Sequence, residues 1–72
     1  MRKRSVILNG HATSVSLEDA YWDEVRAMAD REGVPVAALI ERIDRSRQGG
    51  NLSSAIRVAV LTDYRARLAG AE

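Results

Sequence analysis

The spacing of apolar residues changes abruptly at Leu17, and that change constrains the fold more than any other feature of the chain. From Ala12 to Leu17 the sequence alternates: Thr13, Val15 and Leu17 share one parity, and Ala12, Ser14 and Ser16 share the other. Successive side chains of a strand point to opposite faces, so this is a strand buried on one side and small and polar on the other. From Glu18 the repeat becomes helical. Tyr21, Val25, Met28 and Ala29 recur at intervals of three and four with Trp22 beside them, until Gly33 ends the run. Glu18 and Asp19 suit the first turn, where carboxylates meet unpaired amides and the positive end of the helix dipole. Ser16 is placed to cap that helix, with Asp19 at the box position.

Upstream, the apolar Val6-Ile7-Leu8 precedes Asn9-Gly10, a pair that tolerates positive φ and favours a tight turn. If that turn closes a two-residue hairpin, Leu8 faces His11, Ile7 faces Ala12, Ser5 faces Ser14 and Lys3 faces Ser16. Lys3 and Ser5 then join the serines on one face, with Ile7 partly outward. The sequence predicts a strand or hairpin over 4–17 and a helix over 18–32. A second helix is expected over 35–47, with Pro35 at its first position, where a missing amide costs nothing. Val36, Leu39, Ile40 and Ile43 make its apolar stripe, Glu41, Arg42, Asp44, Arg45 and Arg47 face water, and Glu41 and Arg45 are spaced to pair. Gly49-Gly50 breaks the chain. Asn51 or Ser53 can cap a third helix over 52–68. Its apolar positions Leu52, Ala55, Ile56, Ala59, Val60, Tyr64 and Leu68, widened by Val58 and Leu61, cover enough surface to need two neighbours. The last four residues are expected to fray.

These elements give one small, mostly α domain of 72 residues with a net charge of +1. A chain of this size buries only about 60% of its extended surface. With neither disulfide nor metal to compensate, it is expected to dimerise and share a core. The absence of cysteine excludes disulfides, thiolate catalysis and cysteine-ligated metals, and His11 is the only histidine, so neither a metal site nor a cofactor is expected. No apolar run approaches the ~20 residues that span a bilayer, and Arg2-Lys3-Arg4 is not followed by a signal-peptide core, so a bacterial cytoplasm is expected and no membrane partner. No base–nucleophile pair or phosphate-cradling glycine loop is visible, and the acids Glu18, Asp19, Asp23 and Glu24 belong to a helix face rather than a pocket; an enzyme is not expected. Charge is uneven: three cations and no acid in residues 1–17, then two arginines against six acids in 18–32.

The stretch TSVSLEDAYWDEVRAMADREGVPVAALIERI, residues 13–43, resembles the ribbon-helix-helix family. The flanking NGHATSVSLEDAYW and GGNLSSAIRVAVLTDYRARL resemble more specifically a group of small bacterial ribbon-helix-helix proteins with an extra C-terminal helix. The resemblance implies a homodimer in which one strand from each chain pairs antiparallel and the helices clamp this intermolecular ribbon. The ribbon would lie in the major groove of double-stranded DNA. Carried onto this chain, Val15 and Leu17 would face the dimer core, joined by Trp22, Val25, Leu39, Ile40 and Ile43. Ser14, Ser16 and Ala12 would face the bases, with Lys3 and Ser5 beside them. The amides of Val36 and Ala37 would contact a phosphate. From charge and hairpin position rather than from the resemblance, Arg2, Arg4 and His11 are further candidates for phosphate contact. Two departures stand out. Residues 11–17 contain no Arg, Lys, Asn or Gln, and Val34-Pro35 replaces the serine or threonine that often caps the second helix.

Each feature also has a plainer meaning. His11 can be a solvated turn residue, Arg2-Lys3-Arg4 a solvated start or flexible arm, and Arg42, Arg45 and Arg47 an exposed helix face. Trp22 and Tyr21, on an acidic helix, fit a core or intersubunit role rather than base stacking, and Tyr64 on the third helix is expected to do the same. Two functions follow: a sequence-specific repressor acting as a homodimer, or a protein-binding module with weak or lost DNA binding. The third helix can pair dimers or grip another protein, and an antitoxin combines both roles.

Overall fold

The structure, a computed structural model, describes residues 1–47 and 49–70. The chain runs β1 (Arg2–Leu8), β2 (His11–Leu17), α1 (Asp19–Glu32), α2 (Val36–Ser46) and α3 (Leu52–Gly70). Asn9 at φ 52° and Gly10 at φ 81° supply the two left-handed residues that a tight hairpin loop needs. β1 and β2 are therefore antiparallel with Leu8 opposite His11, Ile7 opposite Ala12, Ser5 opposite Ser14 and Lys3 opposite Ser16. The ladder extends to Arg2, earlier than the expected start at residue 4. Contacts with α1 hold that end: the Trp22 Nε1–H donates to the Arg2 carbonyl at 2.9 Å, and Arg2 Nε donates to Asp19 Oδ1 at 2.9 Å.

Ser16 does not cap α1, because it stays in β2. Glu18 is the cap residue, in extended conformation and without a side-chain cap bond. At the other end Gly33, at φ 68°, lets the Val34 amide reach the Ala29 carbonyl at 3.0 Å while its own amide bonds Asp30 at 3.1 Å. Pro35 precedes α2 rather than starting it; its ψ of 152° is extended, so the first helical residue is Val36. Arg47 has left the helix as well. The expected Glu41–Arg45 pair does not form. Glu41 instead accepts the Asn9 amide of the hairpin loop at 3.0 Å, a contact between segments far apart in sequence. Asn51 caps α3 by accepting the Ser54 amide at 2.8 Å. α3 continues to Gly70, past the expected end at 68. Of the residues expected to fray, Ala71 and Glu72 lie outside the described residues.

All three helices lie on one side of the hairpin. Leu8, Val15 and Leu17 from the strands pack with Trp22, Val25, Met28 and Ala29 of α1, Leu39, Ile40 and Ile43 of α2, and Ile56 and Val60 of α3. Among the described residues no polar or charged residue is buried. Burying a Val, Leu or Ile contributes about 1.5–3 kcal/mol, so these positions carry most of the stability. All seven residues assigned from sequence to a dimer core are thus buried within one protomer. β1 and α3 close over a core that a strand and two helices alone would leave open. α3 contributes only its first half: Leu61, Tyr64 and Leu68 are exposed, because the helix runs on beyond the core. Tyr64, expected in the core, lies outside it, with the Arg67 guanidinium 5.3 Å from its ring.

Candidate nucleic-acid interface

The hairpin alternation separates two surfaces. Arg2, Arg4, Val6, Leu8, His11, Thr13, Val15 and Leu17 have the parity that faces the helices. Lys3, Ser5, Ile7, Ala12, Ser14 and Ser16 have the other, and all are exposed but Ser16, which is half-buried. Ser14, Ser16, Ala12, Lys3 and Ser5, the five residues assigned to base reading, therefore lie together on one unobstructed face. Lys3 is the only cation there. The remaining member is Ile7, 56% exposed and opposite Ala12. Ile7 was legible from the hairpin register but not from the alternation of residues 12–17 alone.

The residues assigned to phosphate contact do not share that surface. Arg2 is held by Asp19, and the Arg4 guanidinium lies 5.6 Å from the Trp22 ring centre, both on the helix side. Arg2-Lys3-Arg4 is therefore a strand fastened to α1 and not a flexible arm. His11 is exposed beside the hairpin loop. Val36 and Ala37 are half-buried at the start of α2, where no side chain among the described residues caps the helix, and amides of a first helical turn have no partner within the helix.

The acids of residues 18–32 are largely neutralised in place. Glu18 pairs with Arg57, Asp19 with Arg2, Asp23 with Arg26, Glu24 with Arg67 and Glu32 with Arg42. Hydrogen bonds from arginine hold the carboxyls of Glu18, Asp19 and Glu32 below the usual carboxylate range. The same bonds raise Arg2 and Arg42. Asp30 is the one acid of this segment without an ion pair among the described residues. Arg42 grips Glu32 through both guanidinium nitrogens, at 2.6 and 2.8 Å, and so joins α1 to α2. Arg47 bonds Asp44 and the Gly50 carbonyl, each at 2.6 Å, and holds the connection to α3. Sequence alone showed acids and arginines, not which pairs the helix crossings would bring together.

A groove of about 630 Å³ lies between α2 and α3, with Met28, Leu39, Ile43, Ala55, Val58 and Ala59 in its walls. Among the described residues no cluster of acids and histidine could hold a metal ion. No described helix is long and apolar enough to cross a membrane.

A strand hairpin with one small, polar face, followed by helices that cover the other, defines a ribbon-and-helix domain. The family model described as a ribbon-helix-helix domain matches residues 1–64, which take in the hairpin, α1, α2 and most of α3, and the chain belongs to this family. Its members are in general DNA-binding transcription regulators that act as dimers, and they are typically not enzymes. Searches of curated proteins and of solved structures return no match.

Proposed function

We propose that the protein is a sequence-specific repressor that binds double-stranded DNA as a homodimer, in a bacterial cytoplasm. The observation that carries this is the outward hairpin face next to an open edge of β2. The sheet has two strands, so the far edge of β2 has no strand partner among the described residues. Beside a two-residue loop the flanking pair exchanges both hydrogen bonds, and the pattern then alternates. His11, Thr13, Val15 and Leu17 thus bond inward to β1. Ala12, Ser14 and Ser16 aim their backbone groups at the open edge.

A second copy pairs antiparallel along that edge, with the two-fold axis at Ser14, the middle residue of β2. The two central strands form a ribbon that fits the major groove. Ser14 and Ser16 meet base edges with Ala12 beside them, and Lys3 and Ser5 extend the same face from β1. Short side chains allow the ribbon to approach closely, which suits a face without long base-reading residues. The amides of Val36 and Ala37, with His11, supply phosphate contacts. Arg2 and Arg4 act indirectly, by fixing β1 to α1. Occupancy of a promoter then blocks polymerase.

Selection of duplexes from a random pool tests this. The expected result is enrichment of a motif with two-fold symmetry, since each half-site meets the same surface. A pool that stays random, with all retention lost at modest salt, would contradict it.

The second reading, a protein-binding module of antitoxin type, is favoured by α3. Val58 is 63% exposed at the groove, and Leu61 and Leu68 are 53% and 58% exposed beyond it. The same flank is where one dimer would meet another.

A further inference from the structure

The width of the sheet divides the two strands between different parts of the DNA. We infer that Lys3 contacts phosphates on the walls of the groove and reads no base, while base contact is confined to β2. This rests on the two-fold β2 ribbon proposed above.

Pairing two hairpins along β2 makes a four-stranded sheet with a β1 strand at each margin. Neighbouring strands lie about 4.8 Å apart, so each β1 is roughly 7 Å from the two-fold axis. The major groove is about 12 Å wide, which leaves roughly 6 Å on either side of its centre line. The two central strands fit inside; the marginal ones do not. Lys3 stands opposite Ser16, two residues along from Ser14. At about 3.4 Å per residue this moves each Lys3 a further ~7 Å from the centre, in opposite directions in the two protomers. The two Lys3 α-carbons are then roughly 14 Å apart across the groove and offset by a similar distance along it, so each stands just outside the ~12 Å width, one at each wall.

Side-chain chemistry agrees with that placement. Lys3 is exposed, on the outward face, and makes no ion pair among the described residues, whereas Arg2 and Arg4 on either side are held by Asp19 and Trp22. β1 cannot swing inward to bring Lys3 to the bases. It is fastened to α1 at Arg2, and the loop beyond its other end is fastened to α2 through Asn9 and Glu41. A lone ammonium on a flexible stem neutralises a phosphate without demanding a particular base.

The test measures salt-dependent affinity of the full chain, Lys3→Ala and Lys3→Arg for an enriched duplex and for versions of it altered at single base pairs. Lys3→Ala is expected to weaken every duplex by the same factor and to reduce the slope of log affinity against log salt by about 1.8, two contacts at ~0.9 each. Lys3→Arg is expected to restore the slope. Circular dichroism checks that both variants fold. A change in the preference among duplexes with an unchanged slope would make Lys3 a base reader and overturn the inference. So would an unchanged slope with unchanged preference, while leaving the proposed function standing. A wild-type chain that binds no duplex would remove both.

Discussion

Trp22 shows how one residue joins elements that the sequence keeps apart. Its ring is 2% exposed, yet its single polar atom is satisfied, because the Nε1–H ends on the Arg2 carbonyl. The Arg4 guanidinium lies over the ring at 5.6 Å from its centre, a contact worth about 0.5–1 kcal/mol at a surface. Trp22→Phe keeps an aromatic ring but removes the donor, strands the Arg2 carbonyl and leaves a small void. A loss of about 1–2 kcal/mol is expected in urea unfolding, with faster amide exchange in the first residues of β1. An unchanged midpoint would mean that the hydrogen bond adds nothing to packing. The place of Trp22 on an acidic helix pointed to a core or intersubunit role, and its ring is in the core of one protomer. Its partnership with Arg2 was not legible, since it depends on the angle at which β1 crosses α1. Glu41 teaches the same lesson. Local spacing offered Arg45, and the fold brought Asn9 closer.

At the scale of elements, periodicity was the reliable signal and capping the weaker one. The turn from Asn9-Gly10, the alternation through Leu17 and the three helical stripes all correspond to observed elements, because each follows from geometry repeated over many residues. The α1 cap differed, since Ser16 can cap only by leaving the strand, and the ladder to Lys3 keeps it there. Which edge of β2 stays open is likewise a property of the hairpin register. It leads to a discriminating substitution. Ser14 directs its amide away from β1, so Ser14→Pro removes no hydrogen bond of the hairpin and is compatible with an edge strand. The variant is expected to fold, to sediment as a 7.9 kDa monomer rather than a dimer, and to lose DNA binding. Thr13→Pro, whose amide bonds to β1, is expected to destabilise the hairpin itself. A dimeric Ser14→Pro chain would show that the two copies meet elsewhere.

The whole molecule measures 41 × 25 × 23 Å, elongated by a third helix of 19 residues that outruns its core. Its accessible surface is 4815 Å², against about 4,400 Å² for a compact monomer of this mass. Much of the exposed apolar surface belongs to Val58, Leu61, Tyr64 and Leu68. Small size pointed to a shared core, yet the core closes within one protomer, and the features left for a partner are a strand edge and a helix flank. Charge is redistributed in a similar way. Residues 18–32 hold six acids against two arginines, but five of those acids are paired with arginines. Among the described residues Lys3, Arg4, Arg45 and Arg65 remain outside ion pairs. The candidate DNA face was legible in the sequence because alternation and register define it. The neutralisation of α1 was not, because it is made across elements.

The central claim is that this face reads DNA sequence, and fluorescence anisotropy tests it most directly. The purified protein is titrated with the DNA upstream of its own gene and with a scrambled duplex, both at ~0.15 M salt. Affinity for the upstream DNA at least ~100-fold tighter, about 2.7 kcal/mol, is the predicted result. Equal and weak affinities for the two duplexes would contradict it and point to the flank of α3 as the working surface.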